Sequence, residues 1–345
     1  MSNAISRRTM ASGFAAAGAG MLMDAVLPRR ARADTVRNIT FMLDVSPYGK
    51  HAIFYPAIDN GYFRDMGLEI TMQAGKGSAD VAVKVAAGAV EVGFCDAATA
   101  ILARGKGAKI KEVMMVHYKA TNCTVTNASK AVRLPKDLVG MKMGATSGDA
   151  PRVALPALAQ INHFDASKVE IVTMESSAKA AMFMTGQVDG LLTLTTNTPV
   201  LAAAAKRAGH EVVEMRFSDF GLDIYSNGII ISDALLERDP DLVRKFNQAL
   251  VQSFIFAVEN PEKALDMFSK HNPAYNKTIA RDQLAVAIDH LMVPEVKQHG
   301  IGPMSPEKMN FTLKIVHDFY GLAGNVALND VYTNDFVKAG QKPKV

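Results

Sequence analysis

The sequence predicts an α/β protein of two lobes, each a mostly parallel sheet flanked by helices. Short apolar strands alternate with helices along two successive blocks of the chain, as βαβ units do. A mostly helical stretch follows the second block. The 345 residues exceed the length at which single hydrophobic cores usually stop growing, so two domains are expected.

The first block opens with a strand at 37–43, where Ile39, Phe41 and Leu43 alternate with other residues. Ser46 and Pro47 then open a helix that Gly61 ends. The same reasoning predicts further strands at 68–72, 90–94, 110–117 and 123–126, and helices at 80–87 and 97–104.

The second block repeats this rhythm, with strands at 141–145, 169–173, 188–193 and 211–215 and helices at 150–161, 178–185 and 198–209. Pro151 suits a first helical turn, where a missing N–H costs nothing. An isolated strand at 229–231 precedes helices at 240–258, 261–268, 281–291 and 306–320, the last capped by Ser305.

These elements indicate where each lobe begins and ends. We expect the first lobe to comprise 34–126 and 228–325, the second lobe 127–227, and a C-terminal tail 326–345. The chain would then cross between the lobes twice and leave a cleft between them.

Residues 1–33 have the layout of a cleavable export signal. Arg7 and Arg8 precede a mildly apolar run at 11–27, and a small-x-small cleavage site ends at Ala33. The arginine pair is typical of the twin-arginine route to the periplasm. The alternative, a retained membrane anchor, is disfavoured because Asp24 and Pro28 interrupt a run shorter than the roughly 20 residues that a span needs.

The charge balance and the cysteine content argue against a nucleic-acid-binding protein and against a metal site. Residues 1–33 hold five arginines and one aspartate, so the remainder has 33 basic and 33 acidic side chains. That balance does not indicate a nucleic-acid surface. Cys95 and Cys123 could form a disulfide in an oxidising compartment, although two buried thiols are favoured slightly. No histidines at ligand spacing accompany them, so neither a metal nor another cofactor is predicted.

Several motifs together resemble periplasmic solute-binding proteins of ABC importers for nitrate, sulfonates, taurine and thiamine-pyrimidine precursors. The stretch 41–51 is followed by Gly-Tyr-Phe at 61–63 and Gly-Leu at 67–68, and later by Gly-Gln-Val-Asp-Gly at 186–190. The resemblance covers about 37–260. It implies the two-lobed type II binding-protein fold, a small-molecule ligand enclosed between the lobes, and a permease with its ATPase as partners of a monomer.

The thiamine-pyrimidine branch is the most similar, through Leu43-Asp44 and His51. That branch usually has a tryptophan after the acidic or amide position, whereas this chain has Val45 and no tryptophan. The ligand is therefore expected to differ in shape, as an aromatic carboxylate would. A fungal pyrimidine-forming enzyme of the same branch has a C-terminal cysteine cluster, which this chain lacks. An enzyme, or a sensor subunit, is the less favoured alternative.

Ligands of open α/β sheets bind beyond the carboxyl ends of the strands, and the predicted ligand-binding residues lie in such loops. They are Asp44, Ser46, Tyr48, His51, Phe94, Cys95, Asp96, Ser147, Arg152, Thr195, Asn197, Tyr225 and Asn227. For Asp44, ligand contact and helix capping are equally favoured, while for His51 ligand contact is favoured slightly. Asp96 is predicted to cap a helix, with Phe94 and Cys95 in either the pocket wall or the core.

Arg152 is the residue from which an anionic group on the ligand is predicted. Its guanidinium could grip a carboxylate, a sulfonate or a phosphate, unless Asp149 pairs with it instead. A nucleophile elbow (Gly-x-Ser-x-Gly) and a His-Glu-x-x-His zinc motif are both missing from the sequence. We therefore predict a binding protein with no catalytic residues.

Overall fold

The computed structural model describes residues 36–147 and 149–344. The predicted export signal lies outside these residues. Ten strands are present among them: β1 (Arg37–Leu43), β2 (Leu68–Ala74), β3 (Val92–Asp96), β4 (Ile110–Met115), β5 (Asn122–Asn127), β6 (Lys142–Ala145), β7 (Glu170–Thr173), β8 (Gly190–Leu194), β9 (Val212–Arg216) and β10 (Asn227–Ser232).

Helices follow most strands, as the alternating pattern predicts. They are α1 (Tyr55–Asp59), α2 (Tyr62–Asp65), α3 (Ser78–Ala86), α4 (Ala97–Gly105), α5 (Ala150–Ile161), α6 (Lys179–Met184), α7 (Thr198–Arg207), α8 (Asp233–Arg238), α9 (Pro240–Glu259), α10 (Pro261–His271), α11 (Lys277–Leu291), α12 (Pro294–His299), α13 (Pro306–Phe319) and α14 (Leu328–Val331). Short 3₁₀ segments include Gly49–Phe54, Pro135–Leu138 and Thr195–Asn197.

The strands form two five-stranded sheets, which confirms the predicted two-lobed α/β fold. The first sheet has the order β2-β1-β3-β10-β4 and the second β7-β6-β8-β5-β9. β1 pairs in parallel with β2 and β3, and β6 with β7 and β8. β10 and β5 run antiparallel to their neighbours, because each is the first strand after the chain has crossed from the other lobe. The sheets are thus mixed rather than purely parallel.

The structure shifts one predicted lobe boundary. The strand predicted at 123–126 was assigned to the first lobe, yet β5 lies inside the second sheet, between β8 and β9. Cys123 and Cys95, both buried free thiols, therefore belong to different sheets. Hydrophobic periodicity locates a strand but carries no information about which sheet it joins.

Two crossings lie side by side and connect the lobes; these two segments are here called the hinge. His117 N–H and Ser226 N–H donate to the carbonyls of Asn227 and His117, at 2.8 and 3.1 Å. The hydroxyl oxygens of Thr121 and Ser226 lie 3.1 Å apart. The two chain segments thus hold each other through backbone and side-chain hydrogen bonds.

The helical part of the chain completes the first lobe. Phe246, Leu250 and Phe254 on one face of α9 are buried in the main core, which follows from their helical spacing. The segment predicted as a separate tail also packs there, through Val331 and Phe336. Among the described residues, none of the helices is long and apolar enough to cross a membrane.

Candidate functional site

Asp44 stands at the carboxyl end of β1, where the backbone is tightly enclosed. A side chain at Gly75 would bring its Cβ within 2.3 Å of the Leu43 carbonyl oxygen, so only glycine fits there. Gly77, at φ +112°, donates its N–H to the Asp44 carbonyl at 2.7 Å. The glycine-rich loop at 75–78 therefore fixes Asp44, and its Gly77 N–H is not free for an anion.

The Asp44 carboxylate is the centre of a buried polar cluster with Lys50, His51 and Asn227, here called the cleft-floor cluster. Its oxygens lie 2.5 Å from Lys50 Nζ and 2.8 Å from His51 Nε2. Asn227 Nδ2 donates to it at 3.3 Å. All four residues are at most 7% exposed, so the ion pair has almost no contact with solvent. Asp44 does not cap a helix, because its carboxylate is used in this cluster.

The hydrogen bonds of His51 define its protonation state. Tyr48 N–H donates to His51 Nδ1 at 3.1 Å, so Nδ1 is the acceptor and Nε2 carries the proton given to Asp44. Burial lowers the pKa of His51, which favours the same neutral form. Both ring nitrogens are occupied, so His51 positions Asp44 and has no free nitrogen for a ligand while these bonds last.

The charges of the ion pair are stable over a wide pH range. Burial alone would raise the pKa of Asp44, but the Lys50 charge and the His51 hydrogen bond hold it well below its usual range. Burial likewise opposes the charge on Lys50, but Asp44 raises the Lys50 pKa above its ordinary value. The pair therefore contributes no net charge at neutral pH.

Aromatic rings surround the Lys50 ammonium. It lies 5.1 Å from the centre of the Tyr48 ring and 5.3 Å from that of Phe94, within the range of cation–π attraction. Phe94 also meets the His117 ring edge-on, with centroids 5.5 Å apart. The buried cation is therefore enclosed by aromatic rings, of which one, Phe94, meets His117 edge to face.

His117 lies in the hinge and was not predicted from the sequence. It is 1% exposed, and neither ring nitrogen has a hydrogen-bond partner among the described residues. Burial depresses its pKa well below the usual value, so the ring is neutral, with one donor and one acceptor. A buried pair of unused hydrogen-bonding atoms is costly, and a bound molecule could satisfy them.

The second lobe meets the cleft floor through the 3₁₀ segment Thr195–Asn197. The Tyr48 and Thr196 hydroxyl oxygens are 3.4 Å apart, and Gln283 Nε2 donates to the Thr196 carbonyl at 3.0 Å. Thr195 Oγ1 lies 2.9 Å from His290 Nε2. His290 Nδ1 donates to the Lys119 carbonyl, so Nε2 accepts the Thr195 proton. At the cleft floor the lobes thus touch through neutral polar groups, and Arg216 at the end of β9 adds an ion pair with Asp289 of α11, at 2.6 Å.

A small cavity of about 10 Å³ lies between the lobes beside the hinge, room for about one water molecule. Its lining includes Asp96 and Ala98 of the first lobe, Ala150 of the second, and Tyr225 and Ser226 of the hinge. Asp96 accepts the Thr99 N–H at 3.0 Å, which confirms the predicted helix cap. The structure therefore shows the lobes in contact, with little space between them.

The remaining predicted ligand-binding residues are buried in the core, hydrogen-bonded within the protein or exposed to solvent. Cys95 is in the core on the opposite face of β3 from Phe94, and the Tyr225 hydroxyl is bonded to Glu295. Asn197 donates to the Thr193 hydroxyl, and Ser46, Ser147 and Asn197 are exposed.

Arg152 is held within the second lobe. Its Nη1 donates to the Thr173 hydroxyl at 2.9 Å. Asp149, its alternative partner from the sequence, pairs instead with Lys179 and accepts the Thr146 N–H at 2.9 Å. Asp149 therefore does not pair with Arg152, and Arg152 Nη1 is bonded within its own lobe.

Sequence reasoning missed Lys50, His117, Gln283 and His290. Lys50 stands between two predicted ligand-binding residues, and a buried lysine is rare enough that nothing in the sequence indicated it. Gln283 and His290 lie on α11, 87 and 95 residues from the Thr196 and Thr195 that they contact. Only the packing of α11 across the cleft brings them into the site.

Comparison with known proteins identifies relatives over most of the chain. A formylaminopyrimidine-binding protein of Halalkalibacterium halodurans is 24% identical over 268 residues, covering 76% of this chain and 80% of the relative. The riboflavin-binding protein RibY of Chloroflexus aurantiacus is 23% identical over 313 residues, covering 89% and 88%.

Solved structures extend the similarity to the fold. The alkanesulfonate-binding protein SsuA of Xanthomonas axonopodis pv. citri, bound to MOPS, superposes with a TM-score of 0.65 at 13% identity. The match covers 86% of this chain and 98% of SsuA, so the periplasmic binding protein fold is shared. The family profile described as NMT1/THI5 like matches residues 49–264, more than half of the chain. The chain therefore belongs to the NMT1/THI5-like family.

Proposed function

We propose that the protein is the solute-binding component of an ABC importer, and that it encloses a small aromatic or heteroaromatic solute between its lobes. One observation carries the proposal: the polar contacts between the lobes at Tyr48, Thr195 and Thr196 follow the carboxyl ends of β1 and β8. Such strand ends are where open α/β sheets bind ligands. Closure of the lobes would shield the solute from water and strengthen each polar contact.

The chemistry of the first lobe supports an aromatic solute without net charge. Tyr48, Phe94 and His117 offer ring faces and edges, and a neutral His117 offers one donor and one acceptor. Lys50 is already neutralised by Asp44. Relatives named for formylaminopyrimidine and riboflavin support the same class. An aromatic carboxylate or sulfonate is the alternative, and it would require Arg152 to leave Thr173.

Binding without turnover fits the state of the reactive groups. His51 has no unoccupied ring nitrogen, and burial raises the pKa of the Cys95 thiol well above its usual value. Neither residue is therefore a ready base or nucleophile. Mass spectrometry of each solute after prolonged incubation would reveal a reaction product if the protein were an enzyme.

Titration calorimetry and thermal shift over pyrimidines, flavins, aromatic carboxylates and alkanesulfonates test the binding proposal. We expect saturable heat and a higher melting temperature with neutral rings. His117→Phe keeps a buried ring but removes both nitrogens, so it should weaken solute binding at least tenfold without loss of stability. Tenfold corresponds to about the free energy of one buried hydrogen bond. His299→Ala, at an exposed position, is the matched control. No binding by any class would contradict the proposal.

Export to the periplasm and delivery to a permease with its ATPase are also proposed, for a protein that acts as a monomer. Replacement of Arg7 and Arg8 by lysine should leave unprocessed precursor in the cytoplasm if the twin-arginine receptor reads the pair. Cell fractionation with an antibody against the protein measures this. Normal processing of the variant would exclude the twin-arginine route and leave solute binding unaffected.

A further inference from the structure

We propose a second small-molecule site on the first lobe, in the cavity between α9 and the segment 335–341, for a small aromatic carboxylate that also carries a hydrogen-bond donor. The cavity has a volume of about 290 Å³, compared with about 10 Å³ for the one between the lobes. That volume is close to the lower end of the range for small-molecule sites, about 300 Å³.

The walls of this cavity combine an aromatic ring with a cation. Val251, Phe336 and Val337 contribute apolar surface. The Arg244 guanidinium lies 5.3 Å from the centre of the Phe336 ring, a cation–π contact that restricts where its donors can point. A flat apolar body and an anionic group would match these two features together.

The cations of the cavity are available to a ligand. Within residues 36–147 and 149–344, Arg244 and Lys338 make no hydrogen bond or ion pair, and both are exposed. Asp335, also exposed, is the one carboxylate in the lining, which leaves one net positive charge. Arginine binds a carboxylate through two parallel hydrogen bonds, so the local charge favours an anion.

Asn247 indicates that the ligand carries a hydrogen-bond donor. Its side chain is 1% exposed and lines the cavity. Nδ2 donates to the carbonyls of Val113 and Phe336, both at 3.2 Å, which fixes the orientation of the carboxamide. Its Oδ1 accepts no hydrogen bond from any described residue. A buried acceptor left unpaired is costly, and an amino or hydroxyl group of the ligand would satisfy it.

Calorimetry on the whole exported protein tests the site with 4-aminobenzoate and its uncharged analogue 4-aminobenzamide. We expect saturable binding of 4-aminobenzoate and at least tenfold weaker binding of the amide, since only the carboxylate engages Arg244. Arg244→Ala should weaken the carboxylate by a similar factor. Lys245→Ala is the matched control, because Lys245 is the next residue of α9 but pairs with Asp241 at 3.0 Å.

Two further variants separate this cavity from the cleft between the lobes. Gln248→Trp places a large ring at an exposed position in the cavity lining and should abolish binding of 4-aminobenzoate. Tyr48→Ala alters the cleft and should leave that binding unchanged. Binding that is absent, or that survives Arg244→Ala and Gln248→Trp but is lost in Tyr48→Ala, would overturn the second site without affecting the proposal for the cleft.

Discussion

The two lobes present unlike faces to the cleft. The first lobe offers a buried ion pair, Asp44 with Lys50, braced by His51 and Asn227 and bordered by aromatic rings. The second lobe offers the hydroxyls and carbonyl of Thr195 and Thr196. Asp149 and Arg152 of the second lobe are bonded within their own lobe, whereas Arg216 at the end of β9 pairs with Asp289 of α11.

This difference assigns separate tasks to the lobes. A buried network with every partner in place is rigid and pre-organised, so the first lobe can fix the orientation of a solute before closure. Neutral hydroxyls and a backbone carbonyl form and break contacts at little desolvation cost. With these groups and one partly exposed ion pair, Arg216 with Asp289, the second lobe would act in the proposed function as a cover whose closure adds modest, reversible bonds.

The largest expected effect comes from removing the central charge of the first lobe. Asp44→Asn leaves the Lys50 ammonium buried beside a neutral amide, and breaking one side of a buried ion pair costs about 3–5 kcal/mol of unfolding free energy. Urea denaturation at pH 7 measures the loss. Asp241→Asn, which breaks an exposed pair with Lys245, should cost less than about 1 kcal/mol. Equal losses in the two variants would mean that the cleft-floor cluster is not a pre-organised element.

Acid should weaken the first lobe at a higher pH than carboxylates alone would. Burial lowers the pKa of His290 to about 4 and also depresses those of His51 and His117. Each contributes stability above its unfolded pKa of about 6.5, and this stability is lost as the pH falls toward the folded value. For His290 the window is 6.5 to about 4, and the full loss is on the order of 3 kcal/mol.

Unfolding free energies at pH 7, 6, 5 and 4.5 should show this decline. His290→Gln should flatten the slope between pH 6.5 and 5, because glutamine cannot gain the proton that histidine takes up on unfolding. The loss of Asp44 stability begins only below about pH 4, near its unfolded pKa. A wild-type protein whose stability is flat down to pH 5 would contradict the low pKa values of the buried histidines.

The sequence predicted the strands and helices of both lobes closely, and the site only in part. α5 has the predicted bounds and β1 begins and ends as expected, because hydrophobic periodicity and caps are local signals. Asp44 was correctly placed at a strand end, but its partners follow from packing. Lys50 can be buried only because the Asp44 carboxylate neutralises its charge. Gln283 reaches Thr196 only because α11 packs across the cleft. Such contacts have no local signature.

Replacement of Gln283 tests directly which contacts hold the lobes together. Its Oε1 accepts the Gly49 N–H and the Tyr275 hydroxyl, while Nε2 donates to Thr196. Gln283→Ala leaves the buried Gly49 N–H and the Thr196 carbonyl unpaired, at a cost of about 1–3 kcal/mol. Small-angle scattering without solute should show a larger radius of gyration. Gln187→Ala, within the second lobe, should change neither quantity.

Arg152 provides the smallest expected effect and the sharpest test of the contrast between the lobes. Its guanidinium donates to the Thr173 hydroxyl, so Arg152→Ala removes one partly exposed hydrogen bond and should cost about 0.5 kcal/mol of stability. If recognition belongs to the first lobe and the solute is neutral, solute affinity should fall by less than about threefold, well under the 2–5 kcal/mol that an unpaired buried anion would cost. Calorimetry with the best-binding solute gives the answer. A loss beyond that range would show that the second lobe grips an anionic group and that Arg152 exchanges Thr173 for the solute, so that both lobes, and not the first alone, would select what is bound.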